Sequence, residues 1–527
     1  MRRTLLSLAL VAAFACGDDD SGNAPPDEPA GLPTPDLRLL ALTDLEGKLE
    51  PCGCTSRPLG GLDRTVARIA ALSAEAPSAL LVVGNVLFGP PHGQAELQQP
   101  AIWEAQTLLT ILQDAGVAAI TPGPSDLRHG LATFEALRSA AAARLLAGNW
   151  RTPEGEALPA SRVIELGDHR VGLVGVSALP PDAPLSASDP LEAARRAVDA
   201  LPDDLAARVV LLQGDRRLAR RIAAIEAVDF VILGGLDQAD ALPPAQSGTG
   251  WVVYGGRQGQ GVLVLDLYVR GEGRFIDVSA WSREVQRTRL EAEIEDLEGR
   301  LRRWEADGAE ADDLARQRRR LERLRRERAQ LDGPPVLPAR GNAFAARWEP
   351  IDPDAPKDPA VSARLESLAR RINDHNRRTL ADRRPPPVAE GEARYVGSRA
   401  CASCHRAAYA WWQRHPHGRA YATLQERHRE FHLECVGCHV TGYEQPGGST
   451  VTHNLDGALV NVGCEVCHGP GSLHVAAPSP ENIRRAPNEQ VCVQCHNEEH
   501  SDLFSYEAYR ASLLVPGHGR PLPSSEP

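Results

Sequence analysis

Lysine is nearly missing from this chain. Of its 58 basic residues only Lys48 and Lys357 are lysines; the rest are arginine. Such a bias, with Ala and Pro also abundant, more often follows base composition than function. Aromatic residues are scarce, at 5%. Positive charge is not in excess either. The formal net charge is -12, which argues against nucleic acid as a partner, because phosphate backbones are gripped by basic patches. Long apolar runs are absent. The longest candidate, Leu5 to Ala15, is shorter than the roughly 20 residues a spanning helix needs. Cysteine is absent between Cys54 and Cys401. Disulfide scaffolds belong mostly to short secreted chains, so that class is excluded for the body of the protein.

What is present divides along the chain. At 527 residues it is too long for one core, and two to four domains are expected. Arg2 and Arg3 precede the apolar run, and small residues close it at Cys16, the pattern of an export signal. "AFAC" followed by "GDDDSGNAPPDEPAG" resembles a bacterial lipoprotein signal. The resemblance implies cleavage before Cys16, lipid on that residue, and anchoring to a membrane by two or more acyl chains. Residues 1–15 are then signal peptide, and 16–36 a disordered tether.

From 37 to 280, short β-branched runs alternate with Ala/Leu/Arg stretches, which predicts an α/β domain. Strands are expected at "LRLLALTD", "ALLVVGN", "AAIT", "RLLAGN", "RVGLVGVS", "RVVLLQG", "FVILGG", "WVVYGG" and "GVLVLDLYV". Helices are expected at 64–74, 101–115, 131–142, 191–200 and 216–226. In 281–333, Leu290, Ile294, Leu297, Leu301 and Trp304 follow a 4-3-4-3 spacing, and Leu314, Leu321, Leu324 and Leu331 resume it. Residues 284–299 hold six acids and two Arg, while 314–331 hold eight Arg and two Glu. Two helices of opposite charge joined by a Gly-containing turn predict an antiparallel coiled-coil hairpin; the other option is one long helix in an intermolecular coiled coil. Residues 334–392 read as a Pro-rich linker with one helix near 360–381, and 521–527 as a tail.

Chemistry concentrates in 393–520, which has few strand signals and is expected to be mainly α or irregular. Four Cys-x-x-Cys-His units fall within 96 residues: Cys401/Cys404/His405, Cys435/Cys438/His439, Cys464/Cys467/His468 and Cys492/Cys495/His496. Thiols three positions apart reach the two vinyl groups on one edge of a haem, and the next His lies beneath the iron. Zinc sites also use Cys-x-x-Cys, but they do not require His after every second Cys. Four covalent c-type haems are therefore expected. The second axial ligands must come from His415, His417, His428, His432, His453, His474, His500 or His518, which the sequence alone does not rank.

"YVGSRACASCHRAAYAWWQRHPHGRAYATL", "CVGCHVTGY", "CEVCHGPGSLH" and "CVQCH" resemble the tetrahaem cytochrome c-554 family. The resemblance covers about 393–520. It implies that His417, with His415 as the fallback, caps an iron, provisionally that of the first motif. It implies the same of His474 and, less directly, of His518 in "PGHG". The family's second haem lacks a distal His; by position that is the haem of His439, which His453, His428 or His432 would have to close.

The 37–280 segment, through "LLALTDLEGKLEPCGC…GGLDR", "LLVVGNVLFG", "AITPGPSDL", "LAGNW", "VVLLQGD" and "VDFVILGGLDQ", resembles 5′-nucleotidase-like metallophosphoesterases. That implies a four-layer α/β sandwich whose active members hold two metals through Asp and His. Here the ligand positions read Asp44-Leu45-Glu46, Gly84-Asn85, Gly123-Pro124-Ser125-Asp126, Gln213 and Gly235-Leu236-Asp237-Gln238. Pro124, Leu236 and Gln238 cannot replace imidazoles, so the expectation is a sandwich that kept its fold and lost its metals. His92 and His129 lie off position. Cys52 and Cys54 remain open between a functional pair and an oxidised one.

The leading expectation is a lipid-anchored, exported electron carrier that meets redox partner proteins. The alternatives are a redox enzyme acting on a small nitrogen compound at a five-coordinate haem, and a metal-dependent phosphoesterase.

Overall fold

The computed structural model describes residues 32–51, 58–89, 95–141, 144–237, 240–308, 310–455, 457–497, 501 and 503–521. The expected signal peptide, Cys16, most of the expected tether, Cys52, Cys54, His92, Gln238, His500 and nearly all of the tail lie outside them.

Two six-stranded sheets organise the described residues between 32 and 380. The chain enters on β1 (Leu37–Thr43), α1 (Leu62–Glu75), β2 (Ser78–Gly84), α2 (Gln98–Asp114), β3 (Val117–Pro122) and α3 (Leu131–Ala141). A short strand β4 (Trp150–Arg151) leads to β5 (Ser161–Leu166), β6 (His169–Ser177), β7 (Ser186–Ala187), α4 (Pro190–Asp199), β8 (Ala207–Gln213), α5 (Arg216–Ala223) and β9 (Phe230–Gly234). Then come β10 (Leu242–Ser247), β11 (Gly250–Tyr254), β12 (Gly261–Tyr268) and β13 (Ile276–Asp277). A helical excursion, α6 (Ala280–Ala306) and α7 (Ala311–Ala329), precedes β14 (Ala343–Pro350) and α8 (Pro359–Thr379).

One sheet runs β13-β14-β12-β1-β2-β3 and the other β10-β11-β9-β8-β6-β5. The inner strands β1, β2, β8, β9 and β12 are buried almost throughout, so they read as unbroken apolar runs rather than alternating ones. Leu39, Leu81, Val209, Ile232 and Leu265 share one core between the sheets. A second core lies under α1, α2, α3 and α8, and a third under α4 and α5.

One polar group crosses this interior. Arg38 on β1 donates from Nε to Asp266 Oδ1 at 2.5 Å, and Arg347 on β14 donates to Asp266 Oδ2 at 2.6 Å. Asp266 has no exposed surface, so the ion pair is fully desolvated and depends on both partners.

Several expectations change. "RLLAGN" is not a strand; Leu145 makes only an isolated bridge to Ile120. The segment 334–392 is not a linker throughout. β14 pairs with β12 over eight residues, and α8 packs Leu365, Leu368 and Ile372 into the core of the first sheet. β10 is not among the expected strands; its "LPPAQS" carries two prolines and lies at a sheet edge, where missing N–H groups cost no ladder bond.

α6 and α7 pack antiparallel through Leu290, Leu297, Leu301, Leu321 and Leu324. Arg318–Glu305, Arg325–Glu298 and Arg328–Glu291 pair across them. Trp304, expected in the seam, is 37% exposed.

The region after 393 is built from short helices: α9 (Ser398–Cys401), α10 (Arg406–Trp412), α11 (Ala420–Gln425), α12 (Leu433–His439), α13 (Cys464–His468), α14 (Ser472–Ala476), α15 (Glu489–Cys492) and α16 (Tyr506–Leu513). Its small apolar cluster, around Tyr421, Leu433, Val436 and Val451, lies at the end nearest α8. Among the described residues no helix is long and apolar enough to cross a membrane.

Candidate functional site

The cysteine motifs sit on helical turns. α12 carries Cys435, Cys438 and His439, and α13 is the third motif itself, Cys464 to His468. Residues three apart share one face of a helix, so each thiol pair projects together. The first and fourth motifs begin at the ends of α9 and α15. The motifs also touch one another. The thiol of Cys401 lies against that of Cys464, and the thiol of Cys438 against that of Cys495. The first motif therefore abuts the third, and the second abuts the fourth.

All eight cysteines and all four motif histidines line one cavity of about 2960 Å³. Ordinary ligand pockets hold about 300–1,000 Å³, so this space suits several large groups rather than one. His417, His474 and His518 line it too. Three imidazole pairs face each other across it: His405 and His474 with ring centroids 6.3 Å apart, His417 and His496 at 6.1 Å, and His468 and His518 at 6.2 Å. Two imidazoles on opposite faces of one metal ion, each bonded at about 2 Å, place their centroids roughly 6 Å apart.

Most of these rings are held through Nδ1. His468 Nδ1 meets the Arg484 carbonyl at 2.7 Å, His474 that of Ser479 at 2.9 Å, His518 that of Leu513 at 2.7 Å, and His439 that of Ala420 at 2.6 Å. A carbonyl accepts, so Nδ1 carries the proton and Nε2 is left with a free lone pair. Burial pulls His417 down to about 4, with His415 and His496 adding to the shift, which keeps the ring neutral.

The first motif does not face His417, as expected; it faces His474. His417 stands opposite His496 of the fourth motif instead. The fallback, His415, has its Nδ1 occupied by the His417 backbone N–H at 3.2 Å. No ring contact joins His439 to a second imidazole among the described residues. His428 lies 3.5 Å from Glu366, and His432 turns toward Glu104 at 4.0 Å.

The α/β region forms another part of the cavity wall, through Glu46 to Pro51, Arg128, His129, Arg257 and α2. Here the strand-end positions are closed by the chain itself. Asp44 accepts from the Gly235 N–H at 2.8 Å and the Asn85 N–H at 3.1 Å. Gly84 is required beside it, since a Cβ there would come within 2.2 Å of Asp44 Oδ1. Asp126 accepts from the Leu87, Gly123 and Val86 N–H groups at 2.7, 3.0 and 3.2 Å. Arg257 clamps Glu46 at 2.8 and 3.0 Å, and Gln258 adds a bond at 2.9 Å. His129 stacks edge-on against Phe88. Burial raises Asp44 to about 7 and Asp126 to about 6, against their backbone donors. These residues do not fit a pair of metal ions. Among the described residues no three His, Cys, Asp or Glu side chains gather as a metal site anywhere in the molecule.

The sequence reading missed the part played by Glu50, Glu104 and Arg429, which join the two regions. Arg429 pairs with Glu50, and no local motif marks either residue.

Residues 400–469 match the family model described as cytochrome c554 and c-prime. Cytochrome c-554 of Nitrosomonas europaea is 36% identical over 95 residues, a match covering 15% of this chain and 40% of that protein. The chain thus spans well under half the length of the curated relative it matches. Among solved structures, the Thermus thermophilus sulfate thiohydrolase SoxB in complex with glycerol superposes with a TM-score of 0.44 at 16% identity, covering 65% of this chain and 62% of that one. A 5′-nucleotidase precursor, also from Thermus thermophilus, gives 0.43 at 18% identity, covering 72% and 67%.

Proposed function

We propose that the protein is an exported, lipid-anchored tetrahaem c-type cytochrome that passes electrons between redox partner proteins. The observation that carries this reading is the single cavity in which eight motif cysteines and three facing imidazole pairs converge. Haem suits these residues better than zinc does, because each cysteine pair sits on its own helical turn with a histidine directly after it, and no three ligands gather around a point among the described residues. Cys401 and Cys404, Cys435 and Cys438, Cys464 and Cys467, and Cys492 and Cys495 would hold the four haems as thioethers. His405, His439, His468 and His496 would be the proximal ligands. His474 would close the first iron, His518 the third and His417 the fourth. When bound, the haems supply one-electron storage and transfer. The chain's part is to fix the tautomer of His439, His468, His474 and His518 through backbone carbonyls and to keep neighbouring motifs in contact.

We read the α/β region as a four-layer sandwich of the metallophosphoesterase kind with its hydrolytic site closed, and the α6–α7 pair as a coiled-coil hairpin. Arg257 on Glu46 and the backbone donors on Asp44 support inactivity, because they occupy the oxygens a metal would need.

A second reading draws on one observation. His439 alone has no facing imidazole among the described residues, so a redox enzyme acting on a small nitrogen compound there is the alternative. Electron paramagnetic resonance of the oxidised protein, with covalent haem counted on the same sample, separates the two. Four haems with only low-spin signals support the carrier. A high-spin signal that shifts with nitric oxide supports the enzyme. His417→Ala should turn one low-spin haem high-spin, whereas His415→Ala should not; the reverse outcome would undo the ligand assignment.

A further inference from the structure

The haem reading does not account for the stretch of cavity wall that the α/β region provides. Glu104, in the second turn of α2, stands on it. Its Oε1 lies 4.0 Å from Nε2 of His432. His432 is 7% exposed, and its Nδ1 is buried with no hydrogen-bond partner. The backbone of His432 is tied to the second motif, because its carbonyl accepts the N–H groups of Cys435 and Val436 at 3.1 and 2.9 Å.

Charged groups surround the pair from every neighbouring element. Lys48 and Glu50 come from the loop after β1, and Arg429 and Glu434 from either side of His432. Arg429 is engaged by Glu50 and by the Cys435 thiol. α8 sends Arg371 and His375 to the adjacent Trp103.

About a third of the Glu104 side chain, 32%, remains open, and Glu104 lines the cavity. A group filling the cavity would close that surface. Burial already raises Glu104 to about 7; Glu434 and Glu50 push the same way, while Arg429 and Lys48 oppose it. Burial, then Arg429, pulls His432 down to about 4. Near neutral pH the histidine is therefore uncharged and the carboxyl is close to its midpoint. An added electron nearby in a low-dielectric setting favours the protonated acid.

Resting on the haem reading, we propose that Glu104, beside His432, is a proton-exchanging site that the α/β region contributes to the haem held by Cys435, Cys438 and His439. When that iron passes from ferric to ferrous, the Glu104 carboxylate takes up one proton. The electron comes from a one-electron donor protein and the proton from water, so the local charge is unchanged. On reoxidation both leave. The α/β region then acts on the cytochrome by setting how tightly one electron is linked to one proton.

The test is a spectroelectrochemical titration of the full-length holoprotein across pH, with covalent haem counted on each sample. In the unaltered protein one midpoint should fall as pH rises through neutrality, by up to about 59 mV per tenfold change in proton concentration for full coupling. Glu104→Gln should at least halve that slope while the other midpoints stay. Glu104→Asp should keep the slope and move its inflection. An unaltered protein whose midpoints ignore pH overturns the proposal, as does an equal slope in Glu104→Gln with all haems attached. Should Glu104→Gln lose haem, Glu104→Asp decides: an inflection at the unaltered pH overturns the proposal. Lack of covalent haem in the unaltered protein overturns both this proposal and the haem reading.

Discussion

In the α/β region the carboxylates at the strand ends are closed by the chain: Asp44 and Asp126 by backbone N–H groups, Glu46 by Arg257 and Gln258. In the region after 393 the cysteines and imidazoles face an open cavity, and the apolar cluster is small. The first region has a complete interior without any added group. The second brings its cysteines and imidazoles to a mostly apolar cavity wall and has only a small apolar cluster of its own. The difference shows where each part gets its stability. The sheets are held by their own side chains, while the cavity walls depend on what fills the cavity.

The strongest way to break this contrast is to remove one pair of attachment points. On the tetrahaem reading, replacing Cys464 and Cys467 together by Ser should cost one of the four proposed covalent haems, by mass of the intact protein. α13 also touches the first motif through Cys401, so proteolysis should begin within 393–520 while the sheets stay protected. If the cavity region stays as resistant as before, with one haem missing, its walls do not depend on their filling.

How much of this contrast was legible beforehand follows from which forces act locally. The Cys-x-x-Cys-His spacing is a local rule, and so is the apolar run of a doubly buried strand; both could be read directly. The partner of each imidazole could not. His405 meets His474 and His417 meets His496 across 69 and 79 positions of chain, and no periodicity encodes such pairing. β14 was hidden for a similar reason. It returns to the first sheet only after the α6–α7 excursion, and its Pro-rich flanks read as linker. The Glu50–Arg429 and Glu104–His432 contacts depend on how two regions far apart in the chain meet, which no single stretch of sequence contains.

A second test strikes the other side of the comparison. Asp266 lies between Arg38 and Arg347 in a dry interior. Asp266→Asn would leave two buried guanidinium groups facing a neutral amide. Breaking a buried pair in this way costs about 3–5 kcal/mol. Urea unfolding followed by far-ultraviolet circular dichroism should show that loss in the sheet transition. The visible haem spectrum at low denaturant should not change. A haem spectrum that shifts along with the sheets would mean that the two regions share one folding unit.

The smallest effect sharpens the comparison through pH. Burial raises Asp44 to about 7, and Asp126 shifts the same way. In the unfolded chain such groups titrate near 4. Between those limits the folded state holds more protons than the unfolded one, so stability falls as pH rises from about 4 to about 7. Above that range the loss is complete and the curve is flat in this term. The contribution of Asp44 is of the order of a few kcal/mol at most. Asp44→Asn removes the titrating group, and the urea midpoint of the sheet transition should then fall less between pH 5 and pH 8 than in the unaltered protein. An equal fall in both would mean that Asp44 stays ionised among its backbone donors, and that the strand-end site is held open to cations after all.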